Sequence, residues 1–105
     1  MSLSSIHERT WNAAMNLATS ASSIQERVGN AYLAILPLKP EEFPEDLREK
    51  FEEIVGIMRT GSTYEVTAAA MSSEKAEEVA TLIFDLHSGV YFQFLAAYRN
   101  RGTRA

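Results

Sequence analysis

The twenty residues from Val79 to Tyr98 carry five aromatic side chains and a single formal charge, Asp85. A helix this apolar cannot lie on a surface. It must run through a core, pack against another copy of the chain, or do both. On a wheel of ~100° per residue it has two adjacent apolar stripes. Val79, Leu82, Ile83, Leu86, Val90, Phe94 and Ala97 form the first, and Phe84, Tyr91, Leu95 and Tyr98 the second. The remaining arc holds Thr81, Asp85, Ser88, Gly89 and Arg99, interrupted by Phe92. More than half of the circumference therefore has to be covered.

A chain of 105 residues is one domain in size and buries roughly 60 to 70% of the surface its unfolded form exposes. Hydrophobic residues make up 46% and charged residues 23%, which is globular rather than disordered composition. With no cysteine, disulfides and thiolate metal sites are excluded, and the fold rests on packing. No repeat or linker divides residues 1–105, so one domain is expected. Met1 to Leu3 read as a leader ahead of a natural start near Ser4, and residues 100–105 as a flexible basic tail. The beginning of the sequence has no basic region followed by an apolar stretch, which makes a cytoplasmic setting the expectation.

The pattern predicts an all-α fold, an antiparallel bundle of three main helices at about 5–36, 44–60 and 72–99. Ser5 and Glu8 form a capping box at the first. From there Ile6, Ala13, Leu17, Ala21, Ile24, Val28, Ala31 and Ile35 keep one apolar phase, which predicts a continuous rod of roughly 48 Å at ~1.5 Å per residue. The alternative is a break near 20–23, where Ser20, Ser22 and Ser23 are weak helix formers and Ser23 with Glu26 makes a second capping box. Pro37, Pro40 and Pro44 end this helix, and Pro44 opens the next in its first turn. Leu47, Phe51, Ile54 and Met58 give that helix a narrow apolar stripe edged by Val55, and Gly61 is its expected stop. Residues 62–71 read as loop merging into a short helical turn, with Ser72 capping the third helix.

Chemical motifs are sparse. No glycine-rich phosphate loop and no nucleophile elbow occurs, so nothing supports catalysis, and the serine clusters are explained as helix caps. The carboxylates between Glu41 and Glu53 lack the Glu-x-x-His pair of helical di-metal sites and point away from the apolar stripe, so neither a metal nor a cofactor is expected. Asp85 lies about 200° from His87 on the wheel and cannot orient it within the helix. Asp85 and His87 near the middle of the third helix also argue against a membrane span, since an acid at bilayer centre costs ~3 kcal/mol. Arg99, Arg101 and Arg104 can neutralise a few phosphates, but the net charge of −4 becomes −7 without them, so nucleic acid is disfavoured.

The second stripe decides the expected function. Left bare, Phe84, Tyr91, Leu95 and Tyr98 make an aromatic patch of a kind favoured at interfaces. Two-fold pairing buries the same stripe on both copies. The sequence therefore points to a non-catalytic interaction or regulatory module acting as a homodimer, with room for a further protein partner. A small-molecule pocket among Trp11, Met15, His87, Tyr91 and Tyr98 is the alternative reading, and a nucleic-acid accessory role through the arginine-rich tail is a weaker one.

Overall fold

A computed structural model describes the backbone of residues 3–102 and the side chains from Leu3 to Arg99. Its helices are α1 (Leu3–Thr19), α2 (Ile24–Ile35), α3 (Glu45–Met58), α4 (Tyr64–Ala69) and α5 (Ser73–Gly102), with one 3-10 turn at Pro40–Glu42. No strand occurs among the described residues. The all-α expectation holds, but the described residues form five helices rather than three.

The first difference is the break of the predicted 5–36 rod. Thr19 ends α1, turning its hydroxyl back to the Met15 carbonyl at 2.7 Å. Ser23 then caps α2 by accepting from the Glu26 amide at 3.2 Å. Arg27 spans the break, donating from Nε to the Ser22 carbonyl at 3.1 Å and from Nη1 to the Leu17 carbonyl at 3.0 Å. At the other end of the pair, Arg9 donates to the Ala34 carbonyl at 3.4 Å. The end of α1 thus meets the start of α2, and the two form an antiparallel hairpin. A single phase of apolar positions suits both a rod and a hairpin, because a helix folded back on itself still presents that phase inward. Only the hairpin buries Leu17 and Val28 in one core. Ala21, predicted on the apolar face, is exposed in the connection.

At the chain start, α1 begins at Leu3, so Ser5 sits within its first turn instead of capping it. Leu3 packs partly buried against the core, while Met1 and Ser2 of the expected leader lie outside the described residues. At the other end α5 runs three residues past the predicted limit of 99. The rest of the expected basic tail, 103–105, lies outside the described residues.

Leu47, Phe51, Ile54 and Met58 are all buried, as their spacing requires. Pro44 caps α3 from outside its first turn, and Phe43 stacks on Phe51 with ring centroids 4.5 Å apart. Gly61 lies beyond the end of α3 and does not use positive φ. It allows close approach instead, since its amide donates to Thr67 Oγ1 at 2.9 Å and a Cβ there would strike that oxygen. The ambiguous stretch 62–71 resolves into α4, capped by Thr63 and running antiparallel to α2, with Tyr64 beside Tyr32 and Ala68 opposite Gly29.

Helix α5 is the spine. Ser72 caps it through the Lys75 amide at 3.0 Å, and Val79, Ile83, Leu86 and Val90 face the core. Its end overhangs: Ala96, Ala97, Tyr98 and Arg99 are consecutive and all exposed, so no neighbour covers any side of that turn. The radius of gyration, 14.4 Å, exceeds the ~13 Å of a compact chain of this length for the same reason.

Candidate functional site

Helices α1 and α5 pack antiparallel, which brings His7 of α1 against Phe94 and Trp11 against His87. Spacings of four place His7 and Trp11 on one flank of α1, and His87 and Tyr91 on the facing flank of α5. A chain of ring contacts results. The His7 and Phe94 rings stack at 4.6 Å and 14°, and His7 lies 5.5 Å from His87 and 5.7 Å from Tyr91. His87 stacks on Tyr91 at 6.2 Å and meets Trp11 at 5.6 Å with the planes 59° apart.

Thr10, buried beneath these rings, fixes His87. Its hydroxyl donates to the Ile6 carbonyl at 3.0 Å, its nearest acceptor, while Oγ1 lies 3.2 Å from His87 Nδ1. The His7 carbonyl lies within reach of the same hydroxyl at 3.1 Å, and the His87 tautomer sets which partner donates in the Thr10–His87 contact. Burial, and secondly the repulsion of His7, hold the His87 pKa below its usual 6.5. That shift favours the uncharged imidazole. Asp85 is exposed and makes no bond to it, in keeping with the wheel.

Between the helices the rings leave a hollow of about 330 Å3 lined by His7, Glu8, Trp11, His87 and Tyr91. Three of the five residues expected around a ligand, Trp11, His87 and Tyr91, therefore come together. Met15 does not. It lies in the outer groove between α1 and α2, beside Asn12, Leu33 and Ala34. Tyr98 stands on the overhang of α5, outside the hollow. His7, Glu8 and Phe94 were not legible as partners, because only the register of α1 against α5 sets them there. Of the second stripe, Phe84, Tyr91 and Tyr98 are exposed and Leu95 is half-buried.

The arrangement offers aromatic rings and one carboxylate, and the hydroxyl that lies beside His87, that of Thr10, is buried. Among the described residues no three His, Asp or Glu side chains converge on a metal position. No protein family, curated protein or solved structure matches this chain.

Proposed function

We propose that this chain is a non-catalytic interaction module that works as a homodimer, paired through the second stripe of α5 and its border with α1. The observation that carries this reading is the exposure of Trp11 (48%), Phe84 (39%), Tyr91 (43%) and Tyr98 (69%) along one side of the molecule. At ~200 Å2 for each aromatic side chain, these fractions leave about 400 Å2 of aromatic surface in water. A standard interface takes ~800 Å2 from each partner, a little over half of it apolar, so the stripe supplies most of the apolar share.

A second copy is favoured as the occupant by symmetry and by charge. Tyr91 is midway between Phe84 and Tyr98, so antiparallel two-fold pairing sets Tyr91 against its equivalent and Phe84 against Tyr98. The same pairing brings Arg99 towards the half of the partner helix that carries Glu77, Glu78 and Asp85, which is complementary in sign. By length and composition α5 also qualifies as a membrane-crossing helix. The core role of its Val79–Val90 face and the carboxylate of Asp85 favour a water-soluble setting, in keeping with a cytoplasmic protein.

Sedimentation across a dilution series tests the reading on the native chain and on Leu95→Lys/Tyr98→Lys. The native chain is expected to be a dimer that dissociates on dilution, and the variant a monomer with unchanged helix content by circular dichroism. A native chain that stays monomeric at every concentration, or a variant with undiminished mass, refutes it.

A further inference from the structure

We propose that the hollow at the α1–α5 seam is an aromatic cage for a small organic cation bearing a methylated ammonium group. This goes beyond the dimer reading: every lining residue comes from one chain, and because Trp11 and Tyr91 also belong to the proposed pairing surface, the ligand and the second copy compete for them. Methylated ammonium groups are bound by the negative faces of aromatic rings, Trp most strongly and then Tyr, with a carboxylate nearby to balance the charge. The hollow supplies these elements. Trp11 and Tyr91 are nearly half exposed and both line the hollow, and the ring of His87 lies 5.6 Å from Trp11 and 6.2 Å from Tyr91. Glu8 lines the same hollow and takes part in no ion pair among the described residues. The neighbouring Arg9 reaches the other way, to the Ala34 carbonyl.

Competing ligand classes fit less well. An anion would meet Glu8 and no lining Lys or Arg, in a chain of net charge −4. A bare metal ion would find Glu8 and the imidazoles of His7 and His87, which among the described residues do not converge on one metal position. The volume, about 330 Å3, is at the small end of ligand sites, which suits a headgroup rather than an extended molecule. Burial lowers the His87 pKa, which favours the uncharged ring beside a cation. Thr10 beneath and the His7–Phe94 stack beside it hold that wall before any ligand arrives.

Trp11 is the one tryptophan in the chain, so its emission reports directly on the site. The test titrates choline, and separately its uncharged carbon isostere 3,3-dimethyl-1-butanol, into the native chain and into Leu95→Lys/Tyr98→Lys, where pairing is disrupted and the cage residues are intact. A saturable change in Trp11 emission is expected with choline, at about tenfold lower concentration than with the isostere. Glu8→Gln is expected to weaken choline severalfold and leave the isostere unchanged, and its exposed position makes misfolding no obstacle. Equal response to both compounds, or no response in either host, overturns the proposal, whatever the sedimentation result.

Discussion

Two glycines in helix interiors give opposite answers to the same substitution, and the difference measures how α3 docks on α5. At Gly56, on the exposed side of α3, an added Cβ meets nothing within 4 Å. Glycine costs ~1 kcal/mol relative to alanine in a helix interior, so Gly56→Ala is expected to stabilise the fold by about that much. Gly89, in the middle of α5, gains the same propensity. Its Cβ, however, lands on Leu47 Cδ2, with Cδ1 and Cγ at 3.3 and 3.4 Å. Leu47 is buried, so either it leaves its rotamer or α3 backs away. Overpacking of this kind costs ~1–3 kcal/mol, which cancels or exceeds the propensity gain.

Gly89→Ala is therefore expected to lie about 2 kcal/mol below Gly56→Ala, a separation of roughly 10 °C in Tm for a domain of this size. Urea denaturation followed by circular dichroism reads the difference. Truncating Leu47 removes the obstructing atoms, so in a Leu47→Ala background the penalty of Gly89→Ala should vanish and the two glycine sites should respond alike. If Gly89→Ala stabilises the otherwise native chain as much as Gly56→Ala does, α3 does not pack on α5 at this point, and the docking of the third helix described above is wrong.

Arg27→Ala removes both charge-assisted bonds across the α1–α2 break and should lower stability by about 1–2 kcal/mol, the lower half of the usual range because the side chain is only half-buried; Arg27→Lys should recover little, since one ammonium cannot copy the fork. Ser23→Ala should cost about 1 kcal/mol through loss of the α2 cap, and a neutral result by chemical denaturation would mean that Arg27 alone sets the break. The depressed pKa of His87 makes the unfolded chain take up a proton first on acidification. Its contribution to stability is accordingly full above the ordinary value of 6.5 and falls away as the pH drops below that value through the folded pKa. Trp11 emission should be quenched over the same range as His87 gains charge beside it, and both effects should disappear in His87→Gln; a midpoint at or above 6.5 contradicts the burial argument.

The helical content and the buried faces of the second and third predicted helices were legible because a period of 3.6 residues is a local property. Leu47, Phe51, Ile54 and Met58, or Val79, Ile83, Leu86 and Val90, declare their face without knowing their neighbours. The excess of the second stripe was legible for the same reason, and Phe84, Tyr91 and Tyr98 are indeed uncovered within the chain. Three of the five residues that line the α1–α5 hollow, Trp11, His87 and Tyr91, were readable from aromatic and imidazole types alone. Met15 was misplaced because its position round α1 turns it towards α2, which a wheel of α5 does not reveal.

Sequence by itself determined most of the inward face of each helix, with Ala21 and Ala97 as exceptions that stand exposed, and the presence of a second apolar stripe on α5. Tertiary structure decided where the chain reverses and which residues meet across helices. Phase is blind to direction: residues 5–36 satisfy it as a rod or as a hairpin, and the hairpin prevails because it brings Leu17 and Val28 into one core and lets Ser23 and Arg27 satisfy the amide and carbonyls that the break exposes. The meeting of His7, Trp11, His87 and Tyr91 likewise depends on a register between helices some eighty residues apart in sequence, fixed by the packing of α1 on α5 and by nothing local to either.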